Sequence, residues 1–149
     1  MKQNGYKFSY TEYTEVDEES NPTGVRVTGP KKITKTGMYN YCWPGCLTVM
    51  YDAESVGIVH IEDIKKNNDY AMWLKAVRNE NCYLLNEELA RYRIRRGSIS
   101  RHSKLKLIKH HYLLYRIGER RNCVSSSVLT VRNLFFGVIK KLFYVKKES

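Results

Sequence analysis

The sequence predicts a mixed α/β fold, on three observations. Aromatic and polar groups alternate over residues 6–16, at Tyr6, Phe8, Tyr10 and Tyr13, the period of a strand with one buried face. Residues 68–78 carry Tyr70, Met72, Trp73, Leu74 and Val77 at helical spacing. Beyond residue 103 the helical period dominates, over 103–118 and again over 124–144.

The elements follow in order. Residues 17–24, with Asn21-Pro22 inside them, are a turn cluster. Val25 and Val27 resume the alternation, so residues 6–29 are expected to form a hairpin that Gly29-Pro30 ends. A short helix is expected over 34–41. Residues 45–51 are a compact β-branched and apolar run, expected as a buried strand. Asp52 and Ala53 open a helical turn that Gly57 ends. Asn68 is the expected N-cap of the next helix. Residues 82–94 read as extended chain, broken near Asn86-Glu87. In the two last helices Leu107, Ile108, His111, Leu114 and Tyr115 share one face. Val128, Val131, Leu134, Phe135, Val138 and Leu142 share another, and both faces are expected to pack inward.

A chain of 149 residues can build one domain with a real core. Its net charge of +11 is unevenly spread. Residues 1–30 net −2, residues 31–90 net −1, and residues 91–149 net +14. Such a basic tail attracts polyanions or acidic headgroups, or is simply a solvated helical surface. No helix-turn-helix, zinc-finger or aromatic RNA-binding signature accompanies it, so nucleic acid is not the expected partner. The four cysteines, Cys42, Cys46, Cys82 and Cys123, show no zinc-ligand spacing and are expected as free thiols in a reducing cytoplasm. Residues 1–30 are polar and acidic and carry no signal peptide. No uninterrupted apolar run is long enough to cross a bilayer.

Two segments carry the chemistry. Asn67-Asn68-Asp69-Tyr70-Ala71-Met72-Trp73-Leu74 puts one carboxylate at the start of an apolar-periodic helix, where the helix dipole favours negative charge. Arg91-Tyr92-Arg93-Ile94-Arg95-Arg96-Gly97-Ser98-Ile99-Ser100 is rich in Arg and Ser, suited to gripping phosphate. A base and an anion clamp together point to group transfer from a phosphorylated donor. Read on residues alone, Asp69 is better explained as a first-turn acid placed by the dipole, and the Arg loop is equally a basic surface turn.

With Gly45-Cys46-Leu47-Thr48-Val49-Met50-Tyr51-Asp52, Gly57, and the order and spacing of Asp69-Tyr70, Trp73-Leu74, Tyr92-Arg93, Ser98 and Ser100, the chain closely resembles family 2 glycosyltransferases. These are inverting sugar-nucleotide enzymes of the GT-A fold. The resemblance covers nearly the whole chain and matches the C-terminal, acceptor-side half. It implies part of a Rossmann-like GT-A domain over 1–102, with an N-terminal β-hairpin, followed by two long basic amphipathic helices over 103–149. It implies that Asp69 is the catalytic base, with Asn68 departing from the family's usual glutamate. It implies that Arg93, Arg96, Ser98 and Ser100 close near the donor diphosphate. Arg95 or Arg96 stands where many relatives carry a histidine.

Trp43, Gly45 and Cys46 would border the acceptor pocket, with Trp43 able to stack on a sugar and Gly45 letting a ligand approach the backbone. Cys46 is otherwise read as a buried, inert thiol. Asp63, beside Glu62, is a further acceptor-side candidate. His102, His110 and His111 lack acidic or Cys partners at ligand spacing. The complete family enzyme implies a divalent metal, Mn or Mg, held by a DxD motif. No DxD occurs in these 149 residues, and no metal site is expected in them. The expectation is therefore half an enzyme, inactive alone, whose partners are a nucleotide-sugar, a glycan or lipid-linked acceptor and a separate N-terminal half. A non-catalytic remnant or partner subunit is the alternative. The expected place is the cytoplasm, with peripheral contact at the inner face of the membrane through Phe135, Phe136, Phe143, Lys140, Lys141, Lys146 and Lys147.

Overall fold

The computed structural model describes residues 1, 4–95 and 104–147. Six strands, β1 (Phe8–Val16), β2 (Pro22–Val27), β3 (Lys32–Ile33), β4 (Met50–Tyr51), β5 (Cys82–Arg93) and β6 (Val145–Lys147), form one mixed sheet. Its order is β3-β5-β1-β2-β6, with β4 against the start of β1. Five α-helices accompany it among the described residues: α1 (Lys35–Asn40), α2 (Ala53–Val56), α3 (Asn68–Ala76), α4 (Lys104–Leu113) and α5 (Cys123–Phe143).

The hairpin forms as the alternation predicts. Phe8 and Tyr10 turn one face of β1 into the core. The turn closes where the Asn21 amide donates to Asp17 Oδ1 at 2.8 Å and Ser20 takes the left-handed conformation, φ 73°. On the other side β1 pairs in parallel with β5. The break expected near Asn86-Glu87 is a bulge: Thr11 faces Leu85 and Glu12 faces Glu88, leaving two residues of β5 unpaired. Glu12 is buried in the sheet and held by Arg26 Nε at 2.8 Å and the Thr28 hydroxyl at 2.7 Å. Burial opposes its ionisation, but these bonds outweigh that and hold its carboxyl below the usual range.

The long connection between β1 and β5 carries α1 to α3 across the sheet. Thr34 caps α1 through the Gly37 amide, and Asp52 caps α2, which Gly57 ends at φ 86°. A core of Phe8, Tyr10, Ile33, Met38, Trp73, Leu74, Leu114 and Tyr115 lies between sheet and helices. It joins residues on both sides of the 102/103 boundary.

Three expected elements before α5 take a different form. Residues 45–51 are not a buried strand. The Gly45 carbonyl accepts from both the amide and the hydroxyl of Thr48, at 2.9 and 2.8 Å, which closes a 3-10 turn at Cys46–Thr48 and leaves only β4 extended. The cap of α3 is Asn67, in the left-handed conformation, one residue before the expected Asn68. The helix expected over 103–118 is α4 followed by a π turn, Leu114–Gly118, and of its expected inward face Leu107 and Ile108 are exposed.

The largest correction concerns α5, whose amphipathic face is inverted. Ser126, Thr130 and Asn133 are buried, whereas Val128, Val131, Phe135, Val138 and Leu142 face outward, with Val131 68% and Leu142 71% exposed. The polar residues tolerate burial because each has partners. Ser126 and Thr130 donate to the carbonyls of Asn122 and Ser126. Asn133 Nδ2 reaches the hydroxyls of Tyr70 and Tyr115 at 3.0 and 3.3 Å. Gly137 sits where an added Cβ would come within 3.0 Å of the Tyr41 ring, so the helix backbone packs close.

Candidate active site

Asp69 stands in the first turn of α3. Its cap residue, Asn67, supplies no side-chain oxygen, so the first-turn amides are satisfied locally. The Asp69 amide donates to Asn68 Oδ1 at 3.0 Å, and the Tyr70 amide donates to Asp69 Oδ1 at 2.8 Å. No hydrogen bond engages Asp69 Oδ2 among the described residues. The next residue fixes the helix: Tyr70 is buried, donates to the Met38 carbonyl at 2.7 Å and accepts from Asn133. The carboxylate is thus presented at a helix head that a core polar network immobilises.

The loop carrying Gly45 and Cys46 comes to the same place. The Asp69 charge, after burial, pushes up the thiols of both Cys42 and Cys46, which puts all three in one electrostatic neighbourhood. Cys46 is exposed on the 3-10 turn, contrary to the buried thiol expected, and its raised pKa keeps it a poor nucleophile. The buried thiol is Cys82. Gly45 has a structural reason to be glycine: an added Cβ would meet the Tyr13 ring at 2.9 Å. The close approach expected of a ligand is made here by Tyr13. That ring also packs on Tyr92, with centroids 5.9 Å apart. Tyr13 thus meets the loop directly, and Tyr92 stands behind it. Sequence reading placed Tyr13 on the strand and Tyr92 before the Arg loop, with no signal that the fold would pair them.

Trp43 is not an open platform for a sugar. It is 5% exposed, its indole N–H donates to the Gly37 carbonyl at 2.9 Å, and Tyr41, Phe136 and Tyr144 pack against it. It anchors the loop instead. Lys140 of α5 adds a second anchor, donating to the Trp43 carbonyl at 3.0 Å and the Cys42 carbonyl at 3.4 Å while lying over the Tyr41 ring.

Arg93 is also committed elsewhere. Its guanidinium donates to the Glu18 carbonyl at 2.6 Å and to Ser20 Oγ at 2.8 Å, tying the end of β5 to the hairpin turn. Arg96, Ser98, Ser100 and His102 lie outside the described residues. Asp63 is exposed in a groove of about 520 Å³ rimmed by Lys65, Lys66, Lys106 and Lys109, a groove that Asp69 does not line. Glu62, its neighbour, pairs with Lys75 at 2.5 Å. Burial lowers the pKa of His111 to about 4, which keeps a neutral imidazole within the fold. Among the described residues no group of three or more His, Cys, Asp or Glu side chains is gathered to hold a metal ion.

No family model matches the chain. A curated protein of Bacillus subtilis (strain 168), "Putative teichuronic acid biosynthesis glycosyltransferase TuaG", is 30% identical over 143 residues. The match covers 95% of this chain and 56% of the relative, so the chain spans about half the length of the protein it matches. A one-motif coincidence would not extend along 95% of the sequence. By sequence this mixed α/β chain is related to a glycosyltransferase.

Proposed function

We propose that the chain forms the acceptor side of an inverting family 2 glycosyltransferase of the GT-A type, with Asp69 as the general base. The observation that carries the reading is the Asp69 carboxylate, fixed at the head of α3 beside the Gly45–Cys46 loop with one oxygen unengaged. In the reaction, the acceptor hydroxyl oxygen attacks the anomeric carbon of the donor sugar. The bond from that carbon to the nucleoside diphosphate breaks, and Asp69 Oδ2 takes the hydroxyl proton as the new glycosidic bond forms. Inversion needs no covalent enzyme intermediate, which agrees with the raised thiol of Cys46.

In this reading Arg96, Ser98 and Ser100 grip the departing diphosphate, while Arg93 braces the strand end that carries them. Gly45 and Cys46 border the acceptor, a glycan or a lipid-linked sugar, and Asp63 meets it further out. The family reading also calls for Mn or Mg. The described residues gather no group of three or more His, Cys, Asp or Glu side chains to hold such an ion. The nucleotide would be bound by a further α/β layer that these residues do not contain. The outer edge of β5 supports that. β3 covers it only at Cys82 and Tyr83, and Leu85, Leu89 and Tyr92 are exposed beyond. The unpaired thiols suit a cytoplasmic setting.

The test is transfer from a nucleotide-sugar by the chain supplied with a nucleotide-binding half. Asp69→Asn keeps the shape and removes the proton acceptor. Transfer should fall by about a hundredfold or more while donor binding persists. Near-normal turnover by the variant would remove Asp69 from the mechanism. Complete inactivity of the wild-type assembly would favour a non-catalytic partner subunit.

A further inference from the structure

The outward face of α5 has a use that sugar transfer does not explain. Val124, Val128, Val131, Phe135, Val138 and Leu142 recur at alternating spacings of four and three, forming one straight apolar stripe. All six are exposed among the described residues, directly opposite the buried Ser126, Thr130 and Asn133. The stripe opens at its N-terminal end onto a groove of about 460 Å³ between α1 and α5. Three cations rim that groove: Lys35, Arg121 and Arg132. Arg121 is held over the Tyr39 ring at 5.6 Å and donates to its hydroxyl. Among the described residues no hydrogen bond or ion pair engages Lys35 or Arg132, and the groove's lining holds no acidic residue. At the other end of the stripe Lys141, Lys146 and Lys147 are exposed.

We propose that this face is an interfacial membrane-binding surface. The apolar stripe enters the headgroup–acyl boundary of an anionic phospholipid bilayer, and Lys35, Arg121 and Arg132 take the lipid phosphates. Charge selects this occupant. From residue 91 to 147 the single acidic residue is Glu119, and it is buried and bidentate to Arg78 at 2.7 and 2.8 Å. A surface with apolar residues flanked only by cations complements anionic headgroups. A second copy of the same stripe would bring Arg132 and Lys141 toward their own like charges, with no carboxylate to answer them. α5 is long and apolar enough to span a bilayer by composition. Its inner face, however, is fastened to the body by Asn133 and Lys140, so the helix lies along the surface. This inference does not depend on the transferase reading.

Vesicle co-sedimentation of the full chain tests it. The arms are phosphatidylcholine vesicles, the same vesicles with added phosphatidylglycerol, and each at low and moderate salt. The wild type should sediment with the anionic vesicles, less so as salt rises. Phe135→Asp, at a fully outward position, should cut that affinity about tenfold or more. Lys35→Glu with Arg132→Glu should cut it by roughly fivefold or more for each cation lost. Circular dichroism should show both variants folded like the wild type. Equal binding to neutral vesicles, or indifference to Phe135→Asp, would overturn the proposal. So would a lipid-free dimer in sedimentation velocity that Phe135→Asp dissolves, since the stripe would then belong to a second copy.

Discussion

His111 shows how burial of a single side chain becomes a property of the whole chain. Its imidazole is buried, and desolvation, with His110 as a smaller contribution, lowers its pKa from 6.5 to about 4. Above pH 6.5 the ring is neutral whether the chain is folded or not, and its stabilising contribution is fully present. As pH falls from 6.5 toward 4 the unfolded chain binds a proton that the folded chain refuses, so stability declines by roughly 3 kcal/mol across that window. Below the window both states are charged and the slope ends. Glu12 acts lower: its folded pKa is depressed, so its contribution is present above the ordinary carboxylate value and lost as pH falls through the depressed one. Urea unfolding across pH should show the first slope in the wild type and not in His111→Phe. Residue by residue, legibility varied with what fixes a side chain. The place of Asp69 in the first turn of α3 was legible because helix-start chemistry is local. Trp43 and Arg93 were not, because the Gly37 carbonyl and the Ser20 hydroxyl that claim them are brought near by the fold.

At the scale of elements, α5 marks the limit of periodicity. The period told correctly that Val128, Val131, Phe135, Val138 and Leu142 share a face. It carried no information on whether that face meets the core. The decision lies in partners remote in sequence: the hydroxyls of Tyr70 and Tyr115 for Asn133, and the loop carbonyls of Cys42 and Trp43 for Lys140. The hairpin and α3 were legible because their apolar faces and turn residues agree with the sheet and core they meet. The orientation of α5 predicts an inverted response to mutation. Asn133→Leu makes the helix more apolar yet should destabilise by about 1–3 kcal/mol, since it strips a hydrogen-bond donor from two buried tyrosines. Phe135→Ser makes the helix more polar and should change lipid-free stability by no more than about 0.5 kcal/mol. Chemical denaturation of both variants reads the sign directly. An outcome with Asn133→Leu stabilising and Phe135→Ser damaging would mean that the helix packs by its apolar stripe after all.

For the whole molecule, the sheet and the charge together set what the chain can bind without help. The sheet presents β5 beyond Tyr83 with no strand on its outer side among the described residues, and the cations are concentrated in residues 91–149 at a net of +14. The diphosphate of a nucleotide-sugar is a compact dianion, and holding it tightly requires fixed donors around the phosphates and a pocket for the base. The cations that line the grooves are surface groups: Lys106 and Lys109 rim one groove and Arg121 and Arg132 another. Contacts of this kind are long-range and loosely oriented, and mobile ions weaken them over a Debye length of about 8–10 Å at moderate salt. These 149 residues should therefore attract a uridine or guanosine diphosphate sugar weakly at low salt and release it as salt rises, with little response to manganese. Calorimetric titration at two salt concentrations, with and without manganese, distinguishes the cases. Tight, metal-dependent, salt-resistant binding would require a built donor site within this chain and would displace the proposal of a separate nucleotide-binding layer. Weak, salt-sensitive binding that becomes tight when that layer is added would instead trace the donor site to the pairing of the two parts along β5.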